Sequence, residues 1–410
     1  MKKLYLLLAL ALPVAACTPQ NVDPENTDPS GTEETVPDPD PEEPQLRPEP
    51  EPVIYQEPFL VTSPIFMQFI QNVTYDERDY TYTHVTDEPY APYGAPGNED
   101  LPPTVPISWE AYPEEGPLTL SLQEGDGEWG FDLDLPAGTT SYELSSLVPG
   151  KTYSYMVIRN DLDRIVGRGS FSTIGLIHQT YFQPKVRNSR DLGGWTTTDG
   201  KRVKYRKLYR GGDLGSSFLN NKGIQEMLRQ GIRAELDLRE AEDLKGATTS
   251  RLGEGITFFN ANMKKAYGTL IRDYPEKVAA AFKFTVQCVR DGEPLYFHCS
   301  IGRDRTGTMA ALFLGLLGVS ESDISKEYEL LYFSPADWSL NGGATEFKYS
   351  RVYRWAHRYT CDTLWELGGQ ALGVADNNYN VTFKQRIEAY LLAHGVSQKD
   401  IDDFRSLMLE

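Results

Sequence analysis

The residues best suited to chemistry in this 410-residue chain are a cysteine and an arginine six positions apart, Cys299 and Arg305. An apolar run ending at His298 predicts a buried strand before the cysteine, and an apolar run after Arg305 predicts a buried helix. A loop entering a helix can point several backbone N–H groups at one anion, and such a site lowers the pKa of a thiol. Of the four cysteines, Cys299 alone has an arginine at this spacing. The pattern predicts a thiolate nucleophile beside a guanidinium that grips two phosphate oxygens.

The string HCSIGRDRTG, residues 298–307, resembles the phosphate loop of the cysteine-dependent protein tyrosine phosphatase superfamily. A basic residue and an aspartate just before the arginine are similar to the bacterial tyrosine and dual-specificity phosphatases within it. Three further segments are similar to that family: VRNSRDLGG at 186–194, LYR at 208–210 and ELDLR at 235–239. The resemblance covers about residues 182–410, and it implies hydrolysis of a phosphate monoester without a cofactor.

The resemblance also implies roles for individual residues. Cys299 would form a phosphocysteine intermediate, Arg305 would clamp the phosphoryl group, and Asp304 would serve as general acid and then as general base. Arg303 stands where lysine is commoner, which keeps the charge but changes its geometry. The expected phosphate-binding residues are Ser300, Ile301, Gly302, Arg303 and Thr306, the last also supporting the thiolate as it leaves.

Several nearby residues keep two interpretations. Asp237 is a rival candidate for the acid, but the favoured alternative is a structural carboxylate at a strand end that holds Arg239 or loop amides. His298 is expected to fix the loop and tune the thiol rather than to transfer protons, and the alternative is a histidine that is simply packed in the core. Arg190 and Asp191 are expected to fix a loop near the site rather than to react.

Strands alternating with helices in residues 177–410 predict an α/β domain, with a central, mostly parallel sheet covered by helices on both faces. Helices are expected at 216–230, 273–291, 322–332, 347–359 and 383–394, with strands at 232–238 and 256–259. Short alternating runs between turn residues predict an N-terminal all-β sandwich over residues 53–176. Its segment LVPGKTY at 147–153 resembles a turn of fibronectin type III modules. The five histidines show no metal-ligand spacing, so no metal is expected.

The N-terminus has the features of an export signal. Two lysines precede a short apolar run, and the sequence LPVAAC places small residues directly before Cys17. This resembles the lipobox of bacterial lipoproteins and implies a signal peptide at 1–16, lipidation of Cys17 and attachment to the bacterial cell envelope. Residues 17–52 are rich in proline and acid, which predicts an extended tether.

Charge is unevenly distributed along the chain. Residues 1–176 carry a formal charge of −22 and residues 177–410 carry +3, which together give the −19 of the whole. No basic footprint for nucleic acid is present. The resemblance to the phosphatase family implies a phosphorylated protein or a phosphorylated inositol or lipid as partner, and the resemblance to a lipobox implies the membrane through Cys17. The alternative from another class is a surface-anchored binding or adhesion lipoprotein whose phosphatase-like domain merely binds anions.

Overall fold

The structure is a computed structural model, and it describes residues 48–75, 84–94, 100–112, 116–127, 129–184, 186–334 and 354–410. The expected signal peptide, Cys17 and almost all of the tether lie outside these residues. Within the described ranges, no helix has both the length and the apolar composition to cross a bilayer. Residues 49–410 form one compact unit in which two parts can be distinguished.

The first part is built on antiparallel strands. Strands β4, β5, β7 and β8 form the main sheet, while β1 and β2 add to β8 in parallel and β3 pairs with β6. Buried side chains of the main sheet and of the β3–β6 pair share one hydrophobic core. The bounds are β1 (Val53–Ile54), β2 (Phe59–Leu60), β3 (Val105–Ser108), β4 (Leu118–Glu124), β5 (Trp129–Leu135), β6 (Ser141–Leu144), β7 (Thr152–Arg159) and β8 (Arg164–Ile174).

One segment of the predicted all-β region is helical. Helix α1 (Pro64–Asn72) starts after Ser63, whose hydroxyl accepts from the amide of Phe66 and so caps the helix. The apolar side chains of Phe66 and Phe69 pack against Phe333 of the following domain. The all-β prediction for residues 53–176 is therefore wrong for this segment, because its apolar face is buried in the neighbouring core rather than in a sheet.

The second part is an α/β domain around a five-stranded sheet in the order β12, β11, β13, β10, β9. All neighbours are parallel except β9 and β10. The bounds are β9 (Arg190–Asp191), β10 (Leu208–Gly211), β11 (Ala234–Asp237), β12 (Thr257–Asn260) and β13 (Leu295–His298). The three central strands, β11, β13 and β10, are buried at every position, as expected for parallel strands covered on both faces.

Helices cover both faces of this sheet. Tyr209 and Tyr296 point into a small core with Met227 of α2, whereas Leu295 and Phe297 point into a large core with the longer helices. The bounds are α2 (Asn221–Arg229), α3 (Tyr267–Asp273), α4 (Pro275–Arg290), α5 (Asp304–Leu317), α6 (Glu321–Glu329), α7 (Arg354–Leu372), α8 (Phe383–Ala393) and α9 (Gln398–Met408). The predicted class and the mostly parallel sheet are confirmed. The helix predicted at 347–359 falls partly on undescribed residues.

Candidate active site

Cys299 stands at the turn between strand β13 and helix α5, at the carboxyl edge of the parallel sheet. Open α/β sheets place their ligands at this edge. The turn is tight, because Gly302 has a φ of +71° and its Cα lies against the end of β10. A Cβ at Gly302 would come within 2.5 Å of the Gly211 carbonyl carbon, so glycine is required there.

The thiol of Cys299 is buried, and its pKa is nevertheless below the usual value for cysteine. Burial is the largest influence and opposes the thiolate, but the positive charge of Arg305 and hydrogen bonding from the Thr306 hydroxyl and amide outweigh it. Within the described chain, that hydroxyl makes no hydrogen bond to any other group. It is therefore available to the sulfur.

The carbonyls of the loop are tied outward by side chains from other elements. Arg187 Nη2 donates to the carbonyl of Ser300 at 2.7 Å. The side chains of Asn188 and Arg210 both donate to the carbonyl of Gly302. Because N–H and C=O of a trans peptide point in opposite directions, carbonyls held outward turn the neighbouring amides inward. The loop from Ser300 through Thr306 is thus held in the conformation that an oxyanion needs.

A single buried carboxylate organises two of the supporting arginines. Glu327 on helix α6 accepts from Arg190 Nη2 at 2.6 Å and from Arg210 Nη1 at 2.7 Å. Burial lowers the pKa of Arg190 to about 9, and the nearby Glu327 works against that shift. Arg190 therefore acts on the loop indirectly, through Glu327 and Arg210. Glu327 was missed from the sequence, since it lies 137 residues from Arg190 and no pattern connects them.

Arg305 and Asp304 lie at the start of helix α5. Arg305 Nη1 donates to the carbonyl of Met263 at 2.9 Å, which steadies the guanidinium beside the thiol. Asp304 is partly exposed, is paired with Arg303 at 2.9 Å and accepts a hydrogen bond from the hydroxyl of Tyr267. Arg303 therefore orients the carboxylate as well as adding charge, and Tyr267 is a further site residue that sequence reasoning missed.

His298 and Asp237 form a buried layer beneath the loop. His298 Nε2 lies 2.9 Å from Glu235 Oε1, and its pKa is raised to about 9. Burial alone would lower that pKa, but the charge of Asp237 and the hydrogen bond to Glu235 prevail. Both oxygens of Asp237 are bound by Arg239, and Asp237 is almost completely buried. This is the geometry of a structural carboxylate at a strand end.

The same cluster has the donor atoms of a possible cation site. Oxygens of Glu235 and Asp237 and a ring nitrogen of His298 lie close enough together to share an ion. However, Glu235 also accepts from the hydroxyl of Ser250, and Asp237 is occupied by Arg239. Protein donors therefore account for this arrangement.

Asp191 lies apart from the phosphate loop. Its carboxylate binds the His178 ring at 3.0 Å and accepts from the amides of Arg206 and Gly193. These bonds fix the turns on either side of strand β9, whose other residue, Arg190, faces Glu327. Of the predicted pair, only Arg190 is thus connected to the site.

Comparisons with known proteins agree with this geometry. Residues 183–410, more than half of the chain, match a family described as the tyrosine phosphatase family. A protein of Cupriavidus necator named "Putative tyrosine-protein phosphatase" is 27% identical over 169 residues. That match covers 35% of this chain and 59% of the relative, so the chain spans less than two thirds of the length of that protein.

Solved structures with detectable similarity include P. aeruginosa TpbA, at 15% identity and a TM-score of 0.28 over 48% of this chain and 91% of that one. The core catalytic domain of the PP-IP phosphatase SIW14 from S. cerevisiae, in complex with citrate, has 19% identity and a TM-score of 0.23. It covers 32% of this chain and 73% of its own. Similarities this weak carry no argument about function.

Proposed function

Because this chain belongs to the tyrosine phosphatase family, we propose that it is a metal-independent phosphate monoester hydrolase acting through a phosphocysteine at Cys299. The supporting observation is that Cys299, with its lowered pKa, begins a loop in which the carbonyls of Ser300 and Gly302 are held by side chains from other elements. Arg305 supplies the positive charge beside it.

In the first step, the Cys299 sulfur attacks phosphorus, so that an S–P bond forms and the ester P–O bond breaks. The inward amides and Arg305 stabilise the negative charge on the transferring oxygens. Asp304 donates its proton to the departing oxygen, which leaves as an alcohol or phenol.

In the second step, a water attacks the phosphocysteine. Asp304, now a carboxylate, takes the proton of the water as the new P–O bond forms. The S–P bond breaks, inorganic phosphate is released, and the thiolate of Cys299 is stabilised by Thr306 as it leaves.

Asp304 is the better candidate for the acid, because it is partly exposed at the mouth of the loop. Asp237 is buried, and its pKa is lowered; burial would raise that pKa, but the charge of His298 and the hydrogen bonds from Arg239 outweigh burial. A carboxyl held so firmly in its charged form is a poor proton donor.

The proposed substrates are phosphotyrosine, phosphoserine and phosphothreonine in proteins, and phosphorylated inositols or inositol lipids. We also propose that the mature chain is anchored by lipid at Cys17 in the bacterial cell envelope, with residues 17–52 as a tether and the fibronectin type III-like module as a spacer. Metabolic labelling with a fatty acid analogue tests the anchor, since Cys17→Ala should abolish the label.

The central experiment measures hydrolysis of an aryl phosphate by the full chain in the presence of a chelator. Cys299→Ser should abolish turnover while retaining phosphate binding. Cys288→Ser is the matched control: Cys288 is also buried, but burial raises the pKa of its thiol to about 12, and its substitution should leave turnover intact. Wild-type protein that is inert on aryl phosphates, phosphopeptides and inositol phosphates would overturn the proposal and favour the anion-binding alternative.

A second experiment identifies the acid. Asp304→Asn should lower kcat by at least about 100-fold on a substrate with a poor leaving group, and far less on one with a good leaving group. Asp237→Asn should show no such dependence on the leaving group, because its expected effect is on stability. The opposite pattern would assign the acid to Asp237.

A further inference from the structure

A second polar cavity lies at the edge of the sheet opposite to Cys299. It has a volume of about 600 Å³, is partly open to solvent and lies between residues of the N-terminal part, here called the β module (residues 53–176), and residues of the α/β domain (residues 177–410). Lys207, Arg233 and Pro294 line it immediately before strands β10, β11 and β13 begin. Trp129 and Glu124 line it from the β module. Since these strands are four residues long, the cavity and the phosphate loop lie about 13 Å apart along the sheet.

The lining of this cavity is strongly cationic in a chain that is acidic as a whole. Two acidic residues, Glu124 and Glu410, stand against five cationic side chains: Lys151, Lys204, Arg206, Lys207 and Arg233. The Glu124 carboxylate forms an ion pair with Arg206 at 2.6 Å, and it lies 3.6 Å from the ammonium group of Lys151.

Among the residues that the structure describes, the other three cations have no carboxylate partner. Lys204 donates to the carbonyl of Leu407, and Arg233 donates to the carbonyls of Leu228 and Ile232. The backbone carbonyl of Lys207 accepts from the amide of Leu295, but its side chain makes no hydrogen bond or ion pair with the described residues. These positive charges therefore remain uncompensated at the cavity wall.

Two buried polar atoms at this cavity also lack partners in the described chain. They are Oε1 of Gln230, a residue that is 1% exposed, and Nε of Arg206. The Arg206 guanidinium is held in place, since it lies 3.8 Å from the centre of the Trp129 ring. Buried acceptors and donors without protein partners are rare, and each is a position at which water, an ion or a bound group can complete the hydrogen bonding.

We propose that this cavity binds a small organic anion that carries phosphate or carboxylate groups and at least one hydroxyl. The uncompensated cations attract the charged groups, and the hydroxyl donates to Gln230. The volume is within the ordinary range of small-molecule sites. Both domains supply the lining, so occupancy also stabilises their contact.

The test titrates the full chain with inorganic pyrophosphate and, separately, with citrate by isothermal titration calorimetry. Arg305→Ala is the background, because it removes phosphate binding beside Cys299. We expect one site in this background, and we expect Lys207→Ala to weaken it by about tenfold. Lys201→Ala is the matched control: this exposed lysine lies in the same stretch of chain but outside the lining, and its substitution should change nothing.

The two anions separate the sources of the ligand, since tighter pyrophosphate binding indicates a phosphate compound and tighter citrate binding a polycarboxylate. Aryl phosphatase activity of Lys207→Ala with Arg305 intact verifies that the variant folds. The proposal is overturned if neither anion binds in the Arg305→Ala background, or if Lys207→Ala and Lys201→Ala bind equally well. Arg305→Lys serves as the background should Arg305→Ala fail to fold.

Discussion

Replacing Glu327 by glutamine should destabilise the protein and impair its phosphate loop together. This carboxylate is the shared partner of Arg190 and Arg210, and all three side chains are almost completely buried. Arg210 in turn holds the carbonyl of Gly302 outward. The substitution keeps the volume of the side chain but leaves two buried guanidinium groups without an anion.

The expected magnitude follows from this burial. Removing one partner of a buried ion pair costs about 3–5 kcal/mol, because the remaining charge is desolvated without compensation. Two arginines depend on Glu327, so the loss should not fall below this range. The released Gly302 carbonyl would also lower kcat/KM on an aryl phosphate, since the inward amides lose their fixed direction.

The assay is urea unfolding of wild-type and variant protein, with free energies of unfolding extrapolated to water. Glu366→Gln is the matched control, because Glu366 pairs with Arg272 at 2.8 Å while both side chains are more than a third exposed. That surface pair should contribute only about 0–1 kcal/mol. If Glu327→Gln costs no more than Glu366→Gln and leaves kcat/KM unchanged, the assigned role of Glu327 is refuted.

Further predictions concern the same loop. Because the pKa of His298 is raised to about 9, the protonated ring contributes its full stabilisation of the fold below pH 6.5. This stabilisation is lost as pH rises through about 9. The free energy of unfolding should therefore fall by about 3 kcal/mol between pH 6.5 and pH 9. The measurement uses Cys299→Ser, because the lowered pKa of the Cys299 thiol makes stability rise with pH and would mask this fall. Gly302→Ala should abolish phosphate binding, and a phosphate titration measures this. Gly200→Ala is the control, because Gly200 also has a positive φ but has open space around it, and its substitution should cost only about 1 kcal/mol of stability. Tyr267→Phe should lower kcat by about tenfold on poor leaving groups, because the proposed acid loses a hydrogen bond; an unchanged kcat would remove the positioning role.

Chemistry that is local in the chain was predictable from local patterns. Cys299, Arg305 and the intervening glycine lie within one short turn, and apolar runs on either side identify the strand and helix that present them. The mostly parallel sheet also followed from alternating elements. The helix α1 was not predictable, because the partner of its apolar face, Phe333, is more than 250 residues away.

The residue order by itself predicted which groups would react, since the spacing of the cysteine, the arginine and the glycine turn is set within a few residues. The tertiary structure was needed to show how those groups are held. Glu327, Arg210 and Glu235 reach the loop from separate elements, and only packing brings them together. The physical reason is that burial is a property of the assembled core. A buried charge pairs with a group that is close to it in the folded structure, and the number of residues between the two does not indicate that pairing.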